Sequence, residues 1–427
     1  MNAMTDDLAI GSITRLSCAQ RDADDPLRHA RERFDLPPGV IYLDGNSLGA
    51  LPRATAEQLN DAICKQWGQD LIKSWNAHGW VDLPQRVGTR IARLLGARAD
   101  EVIVADSTSV NLFKLLSGVL HLNAAHGQAR RRVILSEAGN FPSDLYIAQG
   151  VNALLGDRHE LHLVEAHEVE AALDDTVAAA LITQVDYRSG RLHDMAKLNA
   201  AARLAGTHIV WDLSHSAGAL PLALNADGAE LAVGCGYKYL NGGPGAPAYL
   251  YLAKALQSSF PTPLSGWFGH QAPFAFSQDY QPAPGIERLL CGTPSVLATL
   301  ALDCGIATFD DIAMSNVREK SLALADCFWT LMNRYCGAFD FRCIAPRVHA
   351  ERGSQLSFAH RQAWAIMQAI IDRGVIGDFR QPDLMRFGFT PLYTRFVDIW
   401  DAVMIIREVM LSNTWRDAKY QQRNTVT

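Results

Sequence analysis

Residues 208–238, HIVWDLSHSAGALPLALNADGAELAVGCGYK, hold two short apolar runs, and each ends on an ionisable side chain. HIVW leads into Asp212, with His215 three residues on; LAVGCG leads through Tyr237 into Lys238. Such runs, bounded by Gly, Asn and Asp and separated by a long spacer, read as neighbouring buried strands of a parallel sheet. Ligands of these sheets sit beyond the carboxyl ends of the strands, so an acid and an amine placed there face a site. Asp212 is equally readable as the cap of the segment that follows. Together with Lys238 it is also readable as a plain ion pair, and both alternatives stay open on this stretch alone.

The same pattern recurs on either side. EVIVAD (101–106), RRVILSE (131–137), ELHLVE (160–165), AALITQV (179–185) and PAYLYL (247–252) are further strand-like runs. They alternate with segments of helical composition such as DMAKLNAAARLAG (194–206). Strands spaced by helix-length segments predict βαβ units: an α/β fold with a mostly parallel central sheet flanked by helices. A proline-rich passage interrupts at 260–285, and beyond about 305 two long amphipathic helices are expected, within 315–335 and 360–374, with short strands around them. That part reads as a smaller α+β domain. The expected organisation is an N-terminal segment, 1–45, packing with the small domain; a large domain, 46–305; and the small domain, 306–427.

Bulk composition narrows the classes. The 427 residues are 48% hydrophobic and 20% charged, which is globular, and a net charge of −6 gives no reason to expect nucleic acid or an acidic membrane as partner. The densest basic run, ARRRV (129–133), reads as a solvated loop. The N-terminus, MNAMTDDLAIGS, shows no signal peptide, and no stretch approaches the roughly 18 apolar residues of a membrane span. A soluble, cytoplasmic protein is expected. None of the eight cysteines forms a C-x-x-C pair, so free, buried thiols are expected rather than disulfides. HELH (159–162) and HEVE (167–170) do not match HExxH, and no metal site is assigned. The last dozen residues are polar and expected to fray.

Four segments carry chemistry. A lysine whose pKa is lowered by burial can form a Schiff base. A buried aspartate suits a pyridinium nitrogen, so Asp212 and Lys238 match the two contacts that pyridoxal phosphate (PLP) requires. ADSTSVNLFKLL (105–116) sets Ser107, Thr108 and Ser109 between a strand and a helix start, an arrangement suited to an anion. Simple N-capping needs one hydroxyl, not three. There is no GxxxxGK[ST], and the nearest approach to GxGxxG, beginning at Gly234, fails at Tyr239, so nucleotide binding is the weaker reading. In EAGNFPSDLYIAQG (137–150), Phe141 lies beyond another strand end among turn and cap residues, Asn140, Pro142, Ser143 and Asp144. A lone Phe is by default core; here a ring placed over a cofactor is the stronger reading.

Assembled, the chain resembles the kynureninases, fold-type I PLP-dependent transferase-like enzymes of the aminotransferase class V superfamily. The residues carrying the resemblance are LDGNSLG (43–49), TSVN (108–111), NFPSD (140–144), WDLSHSAG (211–218), GYKYLNGGPG (236–245), GWFGH (266–270), CGTP (291–294) and RFGFTPLY (386–393). They span most of the chain in order. The resemblance implies pyridoxal 5'-phosphate as cofactor, Lys238 as the Schiff-base lysine and carrier of the α-proton, and Asp212 with His215 at the ring. It implies the segment Phe141, Pro142, Ser143 and Asp144 as cofactor-binding, with Phe141 stacked on the ring and Asp144 near it. Thr108, Ser109 and Tyr237 would surround the phosphate, Trp267 and Thr293 would complete that site from the second subunit of a homodimer, and Arg386 would clamp the substrate carboxylate. Thr108 and Ser109 stand where members vary. The segment around Trp75 and His78 would shape the substrate-ring pocket. The implied reaction is hydrolytic Cβ–Cγ cleavage of L-kynurenine, or of its 3-hydroxy derivative, to the anthranilate and L-alanine, with Tyr237 as proton donor or relay. That reaction belongs to tryptophan catabolism and NAD biosynthesis by the kynurenine pathway.

Two other classes compete. A related PLP enzyme, a cysteine desulfurase or aminotransferase, would share most of these motifs. A desulfurase needs an exposed nucleophilic cysteine, whereas Cys336 and Cys343 have apolar neighbours that suggest buried thiols. A non-catalytic nucleotide-binding α/β protein would have the layers without the reactive amine.

Overall fold

Each of the seven apolar runs becomes a strand of one sheet in the computed structural model, which describes residues 13–423 except 126 and 129. The expectations about the N-terminal dozen and about 424–427 lie outside the described residues; the expected fraying is corrected for the residues before 424, where Ala418–Gln421 is helical and Tyr420 is buried with its hydroxyl 2.7 Å from Asp372 Oδ2. The strands are β1 (Val102–Val104), β2 (Val133–Glu137), β3 (Glu160–Val164), β4 (Val177–Thr183), β5 (His208–Asp212), β6 (Leu231–Gly234) and β7 (Tyr249–Leu252). Their order is β1-β7-β6-β5-β4-β2-β3. All pairs are parallel except those of β7, which runs antiparallel to both neighbours. Every residue of β4, VAAALIT, is buried, as a strand covered on both faces requires.

The chain steps outward from β2 to β3, then turns back through β4, β5 and β6, so its direction reverses between the adjacent strands β2 and β4. A ligand crevice is expected beyond the carboxyl ends at such a point. Helix α1 (Thr108–Ala125) buries Leu112, Leu115, Leu116, Val119 and Leu120, a single helical stripe, in the core with Ile103, Leu181, Val210 and Val233. Helix α2 (Pro142–Leu154) follows β2, and α3 (Met195–Ala205) follows β4. The Asp194 side chain caps α3 by accepting from Lys197 N at 3.0 Å. Helix α4 (Val296–Ala307) completes this unit, which comprises residues 54–187 and 192–307.

Over the described residues the second compact unit comprises 13–53, 188–191 and 308–423. It contains α5 (Met314–Cys336), an antiparallel sheet of β8 (Arg342–Cys343), β9 (Gln355–Ala359), β10 (Asp378–Arg380) and β11 (Leu384–Gly388), and helices α6 (Ala363–Ile371) and α7 (Phe396–Ser412). Its strand order is β10-β11-β9-β8. Phe328 anchors the core, with ring centroids 4.8 Å from Phe387 and 5.6 Å from Phe389. Ile41–Tyr42 pairs in parallel with Val375–Ile376. Among the described residues no helix is long and apolar enough to cross a membrane. The eight cysteines are free, but the expectation that they are buried is corrected for Cys64, which is exposed on a polar helix turn; Cys291, Cys304 and Cys343 are half-buried.

Two glycines test the packing in opposite directions. A Cβ on Gly118 of α1 would lie 2.3 Å from the buried Phe260 ring and 2.8 Å from Pro261 O, whereas one on Gly150 of α2 meets nothing. Gly118→Ala is expected to destabilise by about 1–3 kcal/mol through overpacking, despite a gain in helix propensity of about 1 kcal/mol. Gly150→Ala is expected to stabilise by about 0.4–1 kcal/mol. Urea denaturation of the two variants beside the parent checks both signs.

Candidate active site

Register places the site. Thr183 at the end of β4 is level with Asp212 at the end of β5, and Asp212 is level with Val233 near the end of β6. The chain beyond β6 then carries Tyr237 and Lys238. A cavity of about 160 Å³ opens at these ends, lined by Ser107, Thr108 and Ser109 before and within α1, Phe141, Ser143 and Asp144 at the start of α2, and Thr183, Tyr187, Asp212, Ser214, His215, Tyr237 and Lys238. Sequence reading found most of this wall. It missed Thr183, Tyr187 and Ser214, although Thr183 lies within one of the strand-like runs and Tyr187 follows two residues after it.

Lys238 is half-buried rather than sealed, with Nζ 3.0 Å from His215 Nε2. It lies 6.0 Å from the Phe141 ring centroid and 5.8 Å from that of Tyr237. The deeper lysine is Lys114, fully enclosed, but its amine is committed to the Asp106 carboxylate and to Leu289 O at 2.6 Å. Of the two, Lys238 is the one that lines the cavity.

Two acids face it from below. Asp212 is almost fully buried and accepts from Ser214 N at 2.7 Å. Burial holds its carboxyl above the usual range, against the pull of Lys238 and the Ser214 hydrogen bonds. Asp144 is likewise buried, and burial with repulsion from Asp212 pushes it well up. A buried network holds this floor: Thr183 Oγ1 donates to Asn140 Oδ1 at 2.6 Å and Asn140 Nδ2 to Ser136 Oγ at 3.0 Å. Phe141, 42% exposed, meets Tyr187 edge to face at 5.2 Å.

The N-termini of α1 and α2 converge on the same cavity, where Ser109 Oγ and Ser143 Oγ lie 3.0 Å apart. Ser107 acts as cap, its Oγ accepting from Val110 N at 3.4 Å. Two helix starts and four hydroxyls, those of Ser107, Thr108, Ser109 and Ser143, form a cradle for an anion. An amine, a buried acid, an exposed aromatic face and an anion cradle are the donor set that a phosphorylated pyridinium aldehyde needs, and the cavity fits it.

Other expected residues lie elsewhere. Pro142 occupies the first turn of α2 and is not on the cavity wall. Trp267 is 37% exposed against Phe268 and Phe274, and Thr293 lies exposed on a separate cavity of about 100 Å³. His78 is held by Asp70 at 2.8 Å. Arg386 belongs to the second unit, buried on β11 and bound to Asp378 and Ser47. In the run 241–245, Gly242 N donates to Gly236 O at 2.9 Å, and a Cβ on Gly236 would lie 2.4 Å from Pro247 O.

A family profile for the kynureninase C-terminal domain matches residues 317–406. The chain is 50% identical over 415 residues to a kynureninase of Burkholderia mallei (strain SAVP1), covering 97% of this chain and 100% of that one. It is 48% identical over the same span to a kynureninase of Pseudomonas fluorescens. Among solved structures it is similar to a cysteine desulfurase of Thermococcus onnurineus NA1, with a TM-score of 0.76 and 18% identity over 90% of this chain and 98% of that chain. It is also similar to a C-DES mutant carrying glycine covalently linked to its PLP cofactor, with a TM-score of 0.73 and 15% identity over 88% of this chain and 99% of that chain. These two likenesses show the fold.

Because the folded protein holds the Asp144 proton more tightly than the unfolded chain, Asp144 stabilises at low pH and that contribution is lost as pH rises through its elevated pKa. In cofactor-free protein, Asp144→Asn is therefore expected to raise the melting temperature at neutral pH. The gain should vanish in acid and grow with a slope of at most about 1.4 kcal/mol per pH unit. Melting curves across the pH range check it; a pH-independent difference would contradict the assignment.

Proposed function

The chain belongs to the kynureninase family, PLP-dependent hydrolases that cleave the Cβ–Cγ bond of L-kynurenine to anthranilate and L-alanine, and from that premise we propose how its own residues divide the work. Lys238 is the amine that anchors the cofactor and moves the proton at the substrate Cα; its opening into the cavity supports this, and it is the observation that carries the assignment. Pyridoxal 5'-phosphate, when bound, supplies the electron sink that lets Cα and then Cβ carry negative charge. Asp212 holds the ring nitrogen protonated. Its burial without a full charge partner is what a cationic ring would relieve. His215 positions the lysine amine, and Phe141 offers its exposed face to the ring.

Thr108, Ser109 and Ser143 hold the phosphate at the converging helix starts. Asp144 stands in the first turn of α2, and a carboxyl kept protonated there does not repel that anion. Tyr237 donates or relays the proton that the leaving carbon takes up. Arg386 receives the substrate α-carboxylate; a buried guanidinium with geometry for two parallel hydrogen bonds suits that task. Trp267 and Thr293, absent from the cavity wall of their own chain, serve the site of a second copy. A homodimer is further supported by Ile63, Trp67, Leu71 and Ile72, which expose 45%, 58%, 60% and 76% of their surface within ten residues.

The decisive experiment is product analysis with L-kynurenine. Wild type is expected to give anthranilate and alanine in equal amounts, and Lys238→Ala none above background; equal turnover would end the assignment. In the same series Tyr237→Phe is expected to lower kcat by about 10²–10⁴ while leaving cofactor absorbance in place. For the dimer, light scattering should give twice the chain mass for wild type, and Trp67→Glu with Ile72→Glu should shift it toward the monomer.

A further inference from the structure

Arg386 does not stand alone. Its Nε donates to Asp378 Oδ1 at 2.7 Å, a second nitrogen pairs with Asp378 Oδ2, and the same nitrogen reaches Ser47 Oγ at 3.1 Å. Arg380 contacts the same carboxylate at 2.9 Å, so two guanidiniums share one buried anion. A second carboxyl, Asp44, completes the cluster. Its backbone bridges Gly388 at the end of β11, two residues beyond Arg386, and Gly388 N donates to Leu43 O at 2.7 Å. Asp44 Oδ1 is sealed from solvent without a hydrogen-bond partner, and the fully buried Asn46 beside it leaves both ends of its amide unsatisfied.

We propose that Asp44 carries a proton at neutral pH, so that the cluster of Asp44, Asp378, Arg380 and Arg386 keeps one positive charge in reserve, and that this reserve receives the substrate carboxylate. The inference rests on the reading of Arg386 as the carboxylate-binding residue and adds what sets its charge. A buried carboxylate oxygen without a donor is poorly tolerated when ionised, whereas a neutral acid tolerates the same place. The charged and titratable groups around Asp44 are Asp378, Arg380, Arg386, Tyr42 and Tyr393. Burial first, then repulsion from Asp378, drives Asp44 well above the carboxylate range despite both arginines and Ser47. Asp378 goes the other way: burial pushes it up, but Arg386 and Arg380 outweigh that and keep it ionised. Two equivalent-looking acids thus divide into one anion and one neutral group. Were both ionised, the two arginines would be fully neutralised and the substrate would meet no net attraction.

Sign follows directly. As pH rises through the ionisation of Asp44, the reserve charge disappears and KM rises; Asp44→Asn, fixed neutral, keeps the reserve. With holoenzyme and L-kynurenine, wild-type KM is expected to climb on the order of tenfold relative to Asp44→Asn across that ionisation. Ionisation of the substrate amine bends both profiles alike, so their ratio isolates Asp44. Infrared spectra of wild-type holoenzyme with isotopically labelled aspartate should show a protonated-carboxyl band at neutral pH that Asp44→Asn loses. That spectrum of the wild type tests the protonation even if the variant folds poorly. Parallel KM profiles, or no protonated-carboxyl band in the wild type, would overturn the inference. Arg386→Lys separates the two layers: a raised KM there with parallel Asp44 profiles removes only the role of Asp44, whereas an unchanged KM removes the Arg386 assignment and this inference with it.

Discussion

The parallel register of β4, β5 and β6 is the constraint on which the site depends. It sets Thr183, Asp212 and Val233 level, and the residues just beyond them converge on one cavity. A slip of one residue would turn every side chain to the opposite face and carry Asp212 away from it. The strands are covered on both faces: every residue of β4 and β6 is buried, and every residue of β5 except His208. The functional loops merely extend strands that are already fixed.

Electrostatics follows from the same burial. Asp144 and Asp212 stand in a place where water cannot solvate charge, with Lys238 as the nearby cation. Neither acid has an arginine, so each is left responsive to what enters the cavity. In the second unit the opposite arrangement holds, where Arg386 and Arg380 keep Asp378 ionised.

Much of this was legible in the sequence because apolar runs in a buried parallel sheet are short, dense and separated by helix-length spacers. All seven runs proved to be strands of one sheet, with Asp212 the last residue of one strand and Lys238 beyond the end of its neighbour. What periodicity missed was apolar on too many sides. Helices α4 and α7 lack a clean polar face: VLATLALDCGIA is hydrophobic nearly throughout, and α7 buries Phe396, Ile399, Val403 and Ile406 together with Val397, Ala402 and Val409. A helix enclosed on several sides loses the 3.6-residue alternation that reveals it. The antiparallel direction of β7 was also invisible, because strand direction leaves no trace in a four-residue apolar run. Thr183 and Tyr187 went unnoticed for a different reason: their roles arise from neighbours 40 to 50 residues away in sequence, Asn140 and Phe141.

Solved structures similar to this fold include cysteine desulfurases, while half-identical relatives are kynureninases. Fold cannot separate those activities, since both need the same cofactor-binding floor. The difference must lie in the groups that act on the substrate. A desulfurase requires a thiolate, and the two cysteines that a small-domain loop would offer are unsuited to it: burial pushes Cys336 up to about 12 and Cys343 up to about 11. At neutral pH both remain thiols, and Cys336 is inaccessible as well. The side chains around Lys238 are instead an imidazole and two aromatic rings, none of which can accept sulfur. What they can do is move protons and hold a planar ring, which is what breaking a carbon–carbon bond beside a ketone demands of the protein once the cofactor has taken the electrons.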